Sequence, residues 1–142
     1  MLIIKCLTDE NLELNLTSLE NADLSDLNLH RAILDYNNLR GAIMKRTNLR
    51  GAKLEYANLS NSNLTEAKLM VAHLKGANLY SAQLINAVLN GADFSDVNLR
   101  KADLSGANLS YVDFNGALFD DETKWPVNFD PIANGAIKVS TD

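Results

Sequence analysis

The chain has 142 residues, of which 46% are hydrophobic and 22% charged, and its formal net charge is −5. This length is enough for one domain with a buried core, and the composition excludes a disordered or membrane-embedded chain. The acidic balance also disfavours a general nucleic-acid binder, because such proteins carry a basic surface.

The N-terminal segment, residues 1–11, precedes a repeat that occupies most of the chain. Its apolar run ends at Lys5 and is too short for the hydrophobic region of a secretory signal. No apolar run approaches the roughly 20 residues needed to cross a bilayer. We therefore expect a cytoplasmic protein without membrane contact, although a processed form could have lost a targeting segment. Leu2, Ile4 and Leu7 predict a strand that caps the first coil of the repeat, and Cys6 is interpreted as an ordinary thiol of this strand.

A five-residue repeat runs through residues 12–121 without insertion or deletion. The large apolar residue of each pentad, here called the centre, recurs at every fifth position from Leu14 to Phe119. The 22 centres are 18 leucines, one methionine and three phenylalanines. Two residues before the centre, 14 of the 22 positions are alanine; the others are Leu12, Thr17, Leu27, Asn37, Thr47, Ser62, Val97 and Val112.

A period of five excludes an α-helix, because a 3.6-residue turn would spread these residues around its whole surface. In a strand, residues two apart share a face, so the small residue and the centre both point inward from a three-residue strand. The remaining two residues must turn the chain. Six of the seven glycines occupy the second residue after a centre, where a type II turn requires a positive φ. Each pentad therefore predicts a strand and a corner, and successive corners wind a β-solenoid.

Pentads such as residues 22–26, 77–81 and 102–106 follow the pattern A(D/N)LXX and resemble the pentapeptide repeat proteins. The resemblance covers about three quarters of the chain. It implies an all-β fold, a right-handed quadrilateral β-helix with four pentads per coil and the centres stacked in its core. By this rule the repeat forms about five and a half coils.

Residues 122–142 break the period and are expected to cap the open end of the solenoid, where core and strand edges would be exposed. Asp130 followed by Pro131 matches the start of a helix and Gly135 matches a helix end, so we predict a short helical cap. The FDP…GA ending is similar to that of cyanobacterial members of the family. The apolar side chains available for this cap are Trp125, Phe129, Ile132 and Ile137.

With four pentads per coil, residues 20 apart share an outward site. The stacked tyrosines Tyr36 and Tyr56 and a wall of asparagines (Asn38, Asn58, Asn78 and Asn98) are interpreted as structural. A basic belt lies in a single coil and spreads over several walls, which we interpret as solvated, with an acidic partner protein as the alternative. The residues of the basic belt are Arg31, Arg40, Lys45, Arg46, Arg50 and Lys53.

A further group of outward positions is apolar. A contiguous apolar patch on a soluble protein indicates a contact with a partner or with a second copy. The candidate partner surface defined in this way consists of Met70, Val71, Tyr80, Ile85 and Val88.

Enzyme chemistry has little support in the sequence. His30 and His73 are the only histidines, and they are expected to lie more than two coils apart, too far to share a metal or a substrate. The sequence contains no phosphate loop, nucleophile elbow or carboxylate–histidine constellation, so no catalytic, metal or cofactor residue is predicted. We expect a non-enzymatic scaffold or protein-interaction module that binds a protein partner and is monomeric or weakly homodimeric.

The alternative is an acidic mimic of DNA that binds a DNA-handling enzyme such as gyrase, as proposed for the quinolone-resistance members of the family. The sequence departs from those members in its modest net charge, its basic belt, its unbroken repeat and its short C-terminal cap. These departures favour the scaffold.

Overall fold

The computed structural model describes residues 1–8 and 10–141. Its regular strands are β1 (Leu2–Ile4), β2 (Leu12–Leu14), β3 (Leu118–Phe119) and β4 (Ile137–Lys138). Between β2 and β3 the chain is a series of single-residue parallel bridges between positions 20 apart, from Asp23 with Ile43 to Asn98 with Leu118. The predicted coil of four pentads is therefore confirmed.

The centres stack into one core along the axis of the coils. Every centre from Leu19 to Leu104 is at most 4% exposed, and the alanines two residues before them are at most 7% exposed. Thr47 and Ser62, the polar substitutes for alanine, donate their hydroxyls to the carbonyls of Leu24 and Leu59. Thr17 and Asn37, in contrast, are exposed, because they lie at the open N-terminal end of the core.

The corners are turns of one kind. From Asn21 to Gly116, the second residue after every centre has a positive φ, between 51° and 75°. The amide three residues after the centre donates to the centre's carbonyl, as from Ala82 to Leu79 at 3.0 Å. The predicted turn is confirmed, but glycine is not required, since 14 of these 20 residues have a side chain.

Glycine occurs where the side chain one coil earlier lies over the turn. A Cβ on Gly76 would collide with the ring of Tyr56, and one on Gly41 would collide with the amide of Asn21. The frequent Asn or Asp before a centre has a separate cause: its side-chain oxygen accepts the amide two residues on, as in Asn78 with Tyr80. Such Asx turns fix the entrance to each corner.

The N-terminal cap is an antiparallel strand, as predicted in part. β1 pairs with β2. The amide of Ile33 donates to the carbonyl of Lys5. If the repeat continued unchanged, this amide would instead donate to the carbonyl of Leu12. Ile4 is buried, whereas Leu7 is exposed, so Leu7 does not contribute to the cap as expected.

The C-terminal cap begins with one inserted residue. Asp103 pairs with Lys124 rather than with residue 123, and Thr123 takes the small inward site. The rings of Phe114, Trp125 and Phe129 then pack together with centroids 5.2–5.5 Å apart. β4 closes the cap by pairing in parallel with β3.

The predicted helix in the cap is wrong. Residues 131–135 form consecutive turns instead, with Asn134 donating to Pro131 and Gly135 to Ile132. The Asp130 carboxylate accepts a hydrogen bond from the amide of Ala133, as the first residue of a helix cap would. The residues that suggested a helix start therefore form the capping hydrogen bond, although no helix follows it. Ile132 and Ile137 are 63% and 51% exposed, so they do not fill the cap. The aromatic rings already cover the core, which leaves these side chains outside.

Candidate functional site

Two walls and the corner between them carry the surface features of interest. The residue before each centre lies at the middle of a wall. The Val88 wall consists of Asn28, Asn48, Lys68, Val88 and Asn108, and the His73 wall of Ile33, Lys53, His73, Asp93 and Asp113. Between them lies the glycine corner, formed by Arg31, Gly51, Val71, Gly91 and Tyr111.

The candidate partner surface is only partly contiguous. Val88 pairs with Lys68 on the Val88 wall, and Met70 and Val71 follow Lys68 at the edge of the same coil. Ile85 lies at the opposite edge of this wall, because it precedes Val88 by three residues. Val71 is 50% exposed, whereas Met70, Ile85 and Val88 are half-buried.

Tyr80 is separate from these four residues. It follows the asparagine wall, and its ring lies 5.6 Å from the guanidinium carbon of Arg100 and from the Lys101 ammonium. These contacts give Tyr80 a local partner in the next coil. The 20-residue period places Tyr80 beside the asparagine wall and Val88 on a different wall, so outward apolar character alone was not sufficient to group them.

The basic belt is divided among the corners. Arg46 makes two hydrogen bonds to the Asp26 carboxylate one coil away, at 2.7 and 2.8 Å. These hydrogen bonds raise the pKa of Arg46 and lower that of Asp26. Arg31 and Arg50, in contrast, make no ion pair with any described residue and line a common groove. The basic belt is thus neutralised by an ion pair at the corner of Arg46, whereas its charges at the corner of Arg31 and Arg50 have no ion pair with a described residue.

This groove runs along the glycine corner and has a volume of about 470 Å³. It exists because Gly51 and Gly91 lack side chains on either side of Val71. Both histidines line this groove, His30 near the N-terminal end and His73 further along the β-helix axis. The lining residues are Leu7, His30, Arg31, Arg50, Gly51, Val71, Ala72, His73, Gly91 and Asp93.

The predicted tyrosine pair is confirmed. The rings of Tyr36 and Tyr56 stack with centroids 5.3 Å apart and an interplanar angle of 17°. Gly76 continues the stack by leaving room for the Tyr56 ring. In the asparagine wall, Asn98 donates a side-chain hydrogen bond to Asn78 of the neighbouring coil at 3.4 Å, and the side-chain oxygens also accept backbone amides and the side chains of Ser60 and Arg100. Both features contribute to the fold.

Buried Asp120 and half-buried Cys6 lie at the two ends of the core. Burial alone would raise the pKa of the Asp120 carboxyl. Hydrogen bonds from the amides of Lys101, Glu122 and Thr123 and from the Thr123 hydroxyl together outweigh this effect, so the net shift of the pKa is downward. Burial, with the nearby Glu10, raises the pKa of the Cys6 thiol, which makes it a weaker nucleophile. Among residues 1–8 and 10–141, no group of three acids, histidines or cysteines could hold a metal ion, and no helix could span a membrane.

The sequence model of the family "Pentapeptide repeats" matches residues 13–51, 42–79 and 82–121 of this chain. The chain belongs to the pentapeptide repeat family. None of the curated proteins that were compared matches this pentapeptide repeat protein.

Solved structures of cyanobacterial pentapeptide repeat proteins are similar to it. Rfr23 from Cyanothece 51142 is 32% identical with a TM-score of 0.67, over 74% of this chain and 88% of Rfr23. The protein alr5209 from Nostoc PCC 7120 is 32% identical with a TM-score of 0.53, over 79% of this chain and 84% of alr5209. These relatives support a right-handed quadrilateral β-helix and a bacterial protein.

Proposed function

We propose that this pentapeptide repeat protein is a non-enzymatic, cofactor-free scaffold that binds a protein partner in the cytoplasm. The observation that carries the proposal is the apolar edge of the Val88 wall, where Met70 and Val71 lie one coil from Val88. Polar residues flank this edge along the wall, and an apolar centre with a polar rim is typical of protein interfaces.

The rigidity of the wall supports binding without rearrangement. Each strand donates to the coils on both sides, as Lys68 does to Thr47 at 3.0 Å and Leu69 to Val88 at 2.7 Å. A wall held in this way loses little conformational entropy on association, so a modest apolar contact is sufficient. The wall also lacks a deep pocket of the kind that encloses a small substrate.

The charge distribution disfavours the alternative of a DNA mimic. The side chains of Arg31, Arg50 and Lys53 have no ion pair with a described residue, and they interrupt any continuous acidic surface along the β-helix. The target of a DNA mimic presents a basic surface, which these unpaired cations would repel.

Affinity capture with three variants tests the proposal. The tagged wild-type chain, the double variant Met70→Glu with Val88→Glu, and Asn38→Asp would each be incubated with a cyanobacterial lysate and the retained proteins quantified by mass spectrometry. Asn38→Asp is the matched control, since it adds a negative charge on a different wall and keeps the oxygen that accepts the Arg40 amide.

We expect the wild type and Asn38→Asp to retain a common protein that the double variant loses at least tenfold. Circular dichroism would verify that all three fold. Equal retention by all three folded variants would refute the role of this edge.

A further inference from the structure

The His73 wall has an ordered charge pattern, and among the described residues the carboxylates of Asp93 and Asp113 accept hydrogen bonds only from the corner residues that follow them. From one end it reads Lys53, His73, Asp93 and Asp113 in successive coils. Neither Lys53 nor the two aspartates form an ion pair with a described residue. Lys53 and Asp113 lie three coils apart, about 14 Å at the usual strand spacing, so they cannot pair within one molecule.

The pattern is complementary to itself when it is inverted. A second copy turned end for end and placed wall to wall is related by a two-fold axis perpendicular to the β-helix. With this axis midway between the coils of His73 and Asp93, Lys53 of each copy faces Asp113 of the other. His73 of each copy likewise faces Asp93 of the other. All four coils then bring a base opposite an acid, with no like-charged pair on the wall.

The glycine corner fits the same arrangement. It reads Gly51, Val71, Gly91 and Tyr111 in the same four coils. The same axis places Val71 of one copy against Gly91 of the other, and Tyr111 against Gly51. Tyr111 is 93% exposed in the single chain, while Gly51 and Gly91 line the groove of about 470 Å³. Val71 and Tyr111 thus each meet a position without a side chain.

Other arrangements lose this complementarity. An axis level with His73 would place His73 against itself and Val71 against itself. On the Val88 wall, the axis midway between the coils of His73 and Asp93 would place Lys68 against Val88 and Asn48 against Asn108. On the wall that begins with Asp23, it would place Asn63 against Gln83 and Ile43 against Asp103. Neither wall then brings a base opposite an acid, so neither offers the charge complementarity that favours a specific contact.

We propose that two copies of this chain form an antiparallel dimer through the His73 wall and the glycine corner. The contact is about four coils, or ~19 Å, tall, which is at the small end of specific interfaces. We therefore expect a weak dimer, with a dissociation constant on the order of 10 to 100 µM. This dimer shares Val71 with the proposed partner surface but is otherwise formed by a different wall, and it does not depend on the proposed function.

Charge exchange tests the pairing and its register. Sedimentation equilibrium would measure the association of the 15.6 kDa chain and of Lys53→Asp, Asp113→Lys and Asp93→Lys, each verified as folded by circular dichroism. Lys53→Asp alone and Asp113→Lys alone each place like charges opposite each other, and we expect at least tenfold weaker association. In an equimolar mixture of these two variants, position 53 of each chain again faces an opposite charge at position 113 of the other. We therefore expect a heterodimer that associates as strongly as the wild type.

A mixture of Lys53→Asp with Asp93→Lys is the matched control, and we expect it to remain monomeric because this register does not pair those residues. A wild type that is monomeric at about 500 µM would overturn the proposal. So would a folded Lys53→Asp and Asp113→Lys mixture that fails to associate, or rescue by the control mixture.

Tyr111→Gly provides a test that does not depend on charge. Tyr111 has a φ of 61°, which glycine adopts more readily, so we expect a fold at least as stable as the wild type. Association should nevertheless weaken at least fivefold, because the ring that fills the recess at Gly51 is lost. Unchanged association would contradict the proposed contact. Val88→Glu should leave the dimer intact, which separates this inference from the proposed partner surface.

Discussion

Replacement of Leu79 by alanine tests the stacked core at its middle. Leu79 is fully buried, and so are Leu59 and Leu99 in the coils on either side. The substitution removes three carbon atoms, which corresponds to about 2.4 kcal/mol at 0.8 kcal/mol for each buried methylene. The coils on both sides are fixed by their hydrogen bonds and cannot collapse into the space. A residual cavity should therefore raise the total to about 3–4 kcal/mol.

The matched control is Leu14→Ala at the first centre. Leu14 is half-buried at the open end of the core, so the same chemical change should cost only about 1 kcal/mol. Urea denaturation followed by circular dichroism measures both free energies of unfolding, and an unchanged m-value would show that the compactness of the two states is unaffected. Equal losses at the two positions would refute a core that is tightest in the middle coils.

Three further predictions concern the corners, the cap and the charge. Gly76→Ala should lower the free energy of unfolding by about 2–3 kcal/mol, because the added Cβ meets the Tyr56 ring at a residue with a positive φ. Gly51→Ala should cost only about 1 kcal/mol, because its Cβ meets only the flexible Arg31 side chain at 3.3 Å. Thermal melts of both variants measure the difference. Asp120→Asn keeps the accepting oxygen but loses the charge. Because the folded pKa is lowered, the wild type gains stability above the unfolded value of about 3.9 and loses it as the pH falls through the folded value. Denaturation at pH 7 should therefore show a loss of about 1 kcal/mol in the variant, and this loss should shrink as the pH falls below the unfolded value. In a gyrase supercoiling assay, micromolar protein should have no effect, and inhibition would revive the DNA-mimic alternative.

The sequence was sufficient to predict the coil, the core and the turns, because each of these depends on a local five-residue pattern. The centres from Leu19 to Leu104 face inward as the pattern requires. The caps were less predictable, since the pattern stops there. The Asp130–Pro131 pair has the chemistry of a helix start, but the following residues close into turns once Trp125 and Phe129 have covered the core.

The candidate surface could be predicted only where it follows the 20-residue period. Val71 and Val88 share an edge for this reason, and the period would equally have separated Tyr80 from them. The groove could not be predicted from single residues, because it depends on the missing side chains of two glycines, Gly51 and Gly91, in alternate coils. The signal that could have found it is the alternation of Gly51, Val71 and Gly91 at one corner.

The two ends of the β-helix differ in the direction of their outermost strands. β4 runs parallel to its neighbour, as every coil does, whereas the N-terminal segment runs antiparallel to the coil beneath it. A second β-helix that continued the parallel ladder head to tail would have to join the C-terminal end of one molecule to the N-terminal end of the next with parallel strands. The reversed strand at the N-terminus therefore breaks the parallel direction that a head-to-tail extension of the ladder would continue, which disfavours the joining of β-helices into a filament.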